Sequence, residues 1–231
     1  MLTPLLIAGF IGYILGSLPF GYLVARSRGV NIFEVGSKNP GATNVRRVLG
    51  HGPGNLVLFL DALKGSVAAG WALLQYTSVG RIEGSVDATF LGFHVAGEAW
   101  VAIGIAGLVG ALMGHSFSCF TGFKGGKGVA TGAGGFFVLF PLGMLISLVV
   151  FVVTLAVTRY VSLASMLGAV LLPILAIVLH QSTVLVSVAG AVALFVLLRH
   201  RANISRLLAG TETKVGSKPA VTTLHQATPK S

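Results

Sequence analysis

The chain has 231 residues, 54% of them hydrophobic and only 10% charged, with a net charge of +10 and a mean hydropathy of +0.89. A soluble domain carries about a quarter charged residues, so this composition excludes a water-soluble globular fold and indicates a polytopic helical membrane protein. In a soluble protein the positive charge would suggest nucleic acid; apolar runs from end to end exclude that reading here, and the charge is read against the membrane instead.

Residues 1–25 are apolar, with no Lys or Arg before Arg26. A secretory signal has a basic start and a small-residue cleavage site, so this stretch reads as a retained first membrane helix. Within it, Gly16-Ser17-Leu18-Pro19-Phe20-Gly21 suits a kinked, closely packed helix. Six further apolar runs predict spans near 53–75, 99–117, 128–140, 142–158, 164–180 and 184–199, with the fourth and fifth joined near Pro141 and open to a different division. The fourth is rich in glycine (Gly128, Gly132, Gly134, Gly135), which suits a helix buried among others. The single cysteine, Cys119, excludes an internal disulfide and carries no metal signature.

The charges between spans are one-sided. Arg26, Arg28, Lys38, Arg46 and Arg47, then Lys124 and Lys127, then Arg159, then Arg199, Arg201, Arg206, Lys214, Lys218 and Lys230 all fall on one side if there are seven spans. The other side receives only Arg81, with Glu83, Asp87 and Glu98. The positive-inside rule then predicts an all-α membrane protein of about seven transmembrane helices, N-terminus outside and C-terminus in the cytoplasm. Residues 1–212 form one integral-membrane domain with an outer loop at 76–98. Residues 213–231, polar and with two prolines, are expected to be a disordered tail.

The predicted cytoplasmic loops carry the chemistry. The first holds Gly36-Ser37-Lys38-Asn39-Pro40-Gly41-Ala42-Thr43-Asn44-Val45-Arg46-Arg47. Its glycines and proline set tight turns, its short polar side chains supply hydrogen bonds, and Arg47 supplies a planar cation matched to phosphate. The plain alternative is a solvated loop whose arginines only fix topology. The second holds Phe123-Lys124-Gly125-Gly126-Lys127-Gly128-Val129-Ala130-Thr131. Glycines around a lysine, just before a helix, let backbone N–H groups and one ammonium wrap a phosphate. It is not a Walker A loop: the position six before Lys127 is Thr121, and Gly128 replaces the required Ser or Thr. Its alternative is a basic turn touching anionic lipid, which fits Lys124 better than Lys127.

The third loop, Arg159-Tyr160-Val161-Ser162-Leu163-Ala164-Ser165, is a weak signal alone, because serine at a helix start is more often a cap. The fourth, His200-Arg201-Ala202-Asn203-Ile204-Ser205-Arg206-Leu207 with Gly210-Thr211-Glu212, by itself reads as an interfacial anchor. In the second span, Asp61 and Lys64 lie three apart on one helical face, a buried pair expected to neutralise itself and support the site. His115 reads as a packing histidine, with a supporting role at the site as the alternative.

Together, GS-NPGATN-R, FKGGKGVAT, RYVSLAS and HRANI-RL-GTE resemble the bacterial acyl-phosphate:glycerol-3-phosphate acyltransferase family, from GSLPFGYL in the first span to about Thr213. The resemblance implies a seven-helix protein of the bacterial inner membrane with a cytoplasmic active site. It also implies an acyl phosphate donor, a glycerol 3-phosphate acceptor and lysophosphatidic acid as product. It implies Ser37, Arg47, Lys127 and His200 as catalytic residues and Ser165 and Asn203 as substrate-binding residues, to which the reading of the loops adds Asn39, Thr43, Asn44, Gly125 and Gly126 as substrate-binding. No cofactor, metal or nucleic acid is expected. The partners are membrane lipid and, functionally, the enzyme that makes acyl phosphate and the acyltransferase that acts next. The outer loop and the extra tail depart from a compact family member but lie away from the motifs.

Thioester-using glycerolipid acyltransferases share a His followed five residues later by Asp. The residues five beyond the six histidines are Leu56, Ala99, Phe120, Leu185, Ser205 and Lys230, so that base–acid pair is absent. Two rivals remain open at this stage. An anion transporter would bind near the midplane between repeated halves, and no repeat is visible. A non-catalytic lipid-binding scaffold would show no turnover.

Overall fold

The computed structural model describes residues 2–79, 88–90, 93–95 and 99–217. Its elements are α1 (Leu2–Ser17), α2 (Phe20–Arg26), α3 (Ala42–Leu49), α4 (His51–Val79), β1 (Ala88–Phe90), β2 (Phe93–Val95), α5 (Ala99–Ser116), α6 (Val129–Leu139), α7 (Pro141–Thr158), α8 (Val161–Val178), α9 (Thr183–Arg199) and α10 (Arg201–Leu208). The protein is helical, and each of the seven expected apolar runs is helical. Among the described residues, the departure from an all-α description is the antiparallel pairing of the two three-residue strands. These strands sit inside the expected outer loop, the rest of which, beyond α4, lies outside the described residues.

Among the described residues, four helical stretches can cross a bilayer by length and composition: Leu2–Arg26, Trp100–Thr121, Pro141–Thr158 and Val161–Val178. The pair α9–α10, bent by 60°, makes a fifth. The helix α6, with 11 residues, is only about 16 Å long against a hydrocarbon core of about 30 Å. It is a short helix lodged among the others, with Thr131, Gly132, Gly134, Gly135 and Phe136 buried. Its division from α7 falls at Phe140, whose ring lies over Gly143 while Pro141 starts the next helix.

Small residues set the packing. A Cβ on Gly12 would overlap the Gly107 carbonyl, one on Gly16 would overlap Ala111, and one on Gly114 the Tyr13 carbonyl, so α1 and α5 run parallel in backbone contact. In the same way Gly65 abuts Thr131 and Gly134 abuts Ala62, which seats α6 on α4. The larger apolar core, around Leu108, Phe136, Phe140, Leu172 and Val192, lies between α5, α6, α8 and α9.

The chain alternates so that one end of the bundle collects every motif. The Tyr13 hydroxyl donates to Phe117 O at 2.9 Å and the Ser118 hydroxyl to Ser17 O, so the C-terminal ends of α1 and α5 meet. Gly126 N donates to His115 O, and Val215 N donates to Arg159 O, which brings in the start of α6 and the α7–α8 turn. Val215 is bonded to Arg159, and the Lys214 ammonium lies over the Tyr160 ring. Residues 218–231 are outside the described part.

Candidate active site

The first loop is organised by Asn44, at 2% exposure. Its Oδ1 accepts from Ser37 N at 2.8 Å, and its Nδ2 donates to Val35 O at 3.1 Å and Ile32 O at 3.5 Å. Gly36 has φ +58, and a Cβ there would strike Asn44 Oδ1, so that turn requires glycine. Asn39 Oδ1 accepts from Gly41 N at 2.9 Å, ahead of α3. The two asparagines of this loop thus shape it, Asn44 through both ends of its amide and Asn39 through Oδ1. Ser37 and Thr43 are exposed on it. Of the two arginines, Arg46 turns outward to His51 Nδ1 at 2.9 Å. Arg47 is partly buried, and its charge acts on Lys127.

The second loop is pinned from two sides. Gly126 N donates to His115 O at 3.0 Å. Arg199 Nη2 donates to Gly126 O at 2.8 Å and Gly125 O at 3.2 Å. Because a trans peptide aims C=O and N–H oppositely, Arg199 turns the Lys127 N–H away from itself. Gly128 has φ +80 immediately before α6, a left-handed residue that turns the chain into the helix.

The Lys127 ammonium donates to Asn203 Oδ1. Asn203 Nδ2 in turn donates to Glu212 Oε1 at 2.6 Å, the Ser162 hydroxyl donates to the same oxygen at 2.8 Å, and Arg206 Nε donates to Oε2 at 2.7 Å. One carboxylate thus ties three of the four motif loops together. Burial works to raise the Glu212 pKa, but these donors and the Arg206 charge hold it below the usual carboxylate range. For Lys127, burial is the main reason its pKa falls from 10.5 to about 8; Glu212 opposes this, while Arg206, Arg199 and Arg47 add to it.

His200 is 2% exposed. Its Nδ1 lies 2.8 Å from Val196 O. A carbonyl can only accept, so Nδ1 carries the proton and Nε2 is left as the acceptor. Burial, then the Lys127 charge, lower its pKa from 6.5 to about 4 against the raising effects of Val196 and Glu212. It is neutral near pH 7. Ser165 turns back to Val161 O in its own helix at 2.8 Å; of the two α8 serines, Ser162 makes the tertiary bond.

Arg47, Lys127, His200 and Asn203 are therefore brought into one electrostatic and hydrogen-bonded group. Sequence reasoning left out Glu212, Arg199, Arg206 and Ser162 as site residues. Glu212 was legible as the lone carboxylate in a basic motif, whereas Arg199 looks like any cation at a helix C-terminus.

A helical bundle with a cationic, glycine-lined polar cluster at one end is a membrane-embedded, anion-handling protein. Residues 6–210 match the family model described as glycerol-3-phosphate acyltransferase. A relative of that name from Trichormus variabilis is 43% identical over 219 residues, covering 90% of each chain. One from Fusobacterium nucleatum is 40% identical over 206 residues, covering 87% of this chain and 93% of its own. Among solved structures, the crystal structure of PlsY (YgiH), an integral membrane glycerol 3-phosphate acyltransferase, in its glycerol 3-phosphate form superposes with a TM-score of 0.77 at 36% identity. That match covers 92% of this chain and 96% of the other. The lysophosphatidic acid form gives a TM-score of 0.74. The chain belongs to the glycerol-3-phosphate acyltransferase family and is an integral membrane protein.

Proposed function

We propose that this protein transfers the acyl group of an acyl phosphate to the 1-hydroxyl of glycerol 3-phosphate, giving 1-acyl-glycerol 3-phosphate and inorganic phosphate. The observation that carries this reading is the convergence of Arg47, Arg199 and Arg206 around a partly buried Lys127, with Glu212 the carboxylate among the described residues that acts on it. That excess of positive charge suits two phosphorylated substrates held side by side against their repulsion. The two solved PlsY structures are a glycerol 3-phosphate form and a lysophosphatidic acid form of that protein.

In the reaction, the C1 hydroxyl oxygen forms a bond to the acyl carbon, and the bond from that carbon to the bridging phosphate oxygen breaks. The hydroxyl proton passes to His200 Nε2 or to the departing phosphate. Arg47 and Lys127 hold phosphate and developing charge, and the Gly125–Gly126 backbone and Ser37 orient the donor phosphate. Asn203, aligned between Lys127 and Glu212, positions the acceptor with His200. A phosphate leaving group needs little acid assistance, which is consistent with a site so poor in carboxylic acids. We further propose that the chain runs through the membrane as seven helical segments, α6 being a short one buried among the others, with the motif end in the cytoplasm, from the one-sided distribution of Lys and Arg.

The test supplies purified protein with glycerol 3-phosphate and either palmitoyl phosphate or palmitoyl-CoA, with no ATP, metal or ion gradient. Product from the acyl phosphate alone is expected. Comparable turnover of the thioester would overturn the donor assignment, and no turnover of either would favour a transporter or scaffold.

A further inference from the structure

Below the glycine-rich loop lies a second polar cluster that the reaction scheme does not use. Asp61 and Lys64, on α4, are 2% and 5% exposed, and Lys64 Nζ sits 2.8 Å from Asp61 Oδ1. The pair is not closed on itself. The same Asp61 oxygen lies 3.5 Å from His115 Nδ1 on α5. Lys64 also donates to Leu18 O at 3.1 Å and lies over the Phe20 ring, which anchors it to the α1–α2 break.

His115 is the far end of this chain of contacts, and it touches the loop twice. Its carbonyl accepts from Gly126 N at 3.0 Å. Its imidazole Nε2 lies against the Gly126 Cα, where a Cβ would overlap it; a Cβ on Gly125 would overlap the His115 carbonyl. The narrow cavity between these groups, about 20 Å³, is about the size of one water molecule. Packed this closely against the loop, the cluster is placed to fix its backbone. From the other side the same two residues are held by Arg199, so the Gly125–Gly126 peptides are clamped between a guanidinium and an imidazole whose orientation depends on Asp61.

We propose that Lys64, Asp61 and His115 are positioning residues that set the backbone of Gly125–Gly126, and through it the seat of the donor phosphate. This rests on the assignment of the glycine-rich loop to the donor under Proposed function. It differs from a buried ion pair that merely neutralises itself. Such a pair can be exchanged for uncharged residues of similar shape with little effect; a positioning chain cannot.

The experiment uses full-length protein in detergent and measures thermal stability and the separate KM values for acyl phosphate and glycerol 3-phosphate. The variants are Asp61→Asn/Lys64→Met, His115→Leu, His115→Asn and, as a control on the loop, Lys127→Ala. The double variant carries no buried charge. It is expected to fold with a KM for acyl phosphate raised roughly ten- to a hundredfold, and a KM for glycerol 3-phosphate that is nearly unchanged. His115→Leu should reproduce that split, and His115→Asn, which keeps a donor toward Asp61, should restore much of it. Wild-type KM values in His115→Leu or in the double variant would overturn the inference. If the double variant does not fold, the two His115 variants decide the matter alone. Normal activity in Lys127→Ala would instead remove the loop from the mechanism, and this inference with it. Loss of activity in Lys127→Ala together with normal His115→Leu would sink the inference and leave the mechanism standing.

Discussion

At the scale of single residues, the site works by holding positive charge where burial disfavours it. Lys127 titrates at about 8 instead of 10.5 because burial and three arginines penalise its charged form. A lysine that must be cationic to hold phosphate does so fully below that pH and loses the charge as pH rises through it. The expected outcome is a kcat/KM that falls above about pH 8, with the fall moved to higher pH in Lys127→Arg. For His200 the consequence falls on stability. Between its unfolded pKa of 6.5 and its folded value of about 4, the unfolded chain binds more protons, so stability declines as pH drops through that window. The melting temperature of His200→Gln in detergent should lack that share of the decline. Within the first loop, Asn44→Ala removes the bonds to Ser37, Val35 and Ile32 and should cost about 1–3 kcal/mol as buried partners lose their bonds. Thr43→Ala, at an exposed position, should leave stability unchanged.

At the scale of elements, the short helix α6 acts as the pedestal of Lys127, since the loop lysine lies two residues before its first turn. Its seat on α4 depends on backbone contact at Gly65 and Gly134. Gly134→Val would drive a side chain into the Ala62 carbonyl and part the two helices, so a drop in melting temperature and a loss of activity are expected together. Gly190→Ala is the control: nothing lies within 4 Å of a Cβ there, and replacing glycine by alanine inside a helix favours the helix by roughly 1 kcal/mol. The α9–α10 bend serves the site in the same way, because a straight continuation past His200 would carry Asn203 away from Lys127.

At the scale of the whole molecule, parallel pairing of α1 with α5 and of α4 with α6 places all four motif loops at one end of the bundle and Leu2 at the other. If that end faces the cytoplasm, a cysteine at position 38, introduced after Cys119→Ser, should be labelled only by reagents that cross the membrane. Labelling by an impermeant reagent in intact cells would reverse the proposed orientation. The same arrangement explains why the outward-facing apolar residues, Val149, Val152, Val153 and Val157 on α7 among them, remain exposed: that surface meets lipid.

The apolar segments, their order and the one-sided basic loops were legible in the sequence, because hydropathy over some twenty residues and the placement of Lys and Arg are local quantities that the bilayer reads directly. The turn of the glycine-lysine loop into a helix was legible too, since backbone geometry near glycine is set by its immediate neighbours. What only the tertiary structure decided is which partners share a hydrogen bond. Asn44 folds inward to shape its loop, Asn203 reaches Lys127 from 76 residues away, and Glu212 joins α8 to α10. Asp61 and Lys64 look like a closed pair on one helix until α5 brings His115 within 3.5 Å. These assignments depend on which helices lie side by side and in what register, and that is settled by glycine contacts between segments far apart in the chain, which no local pattern records.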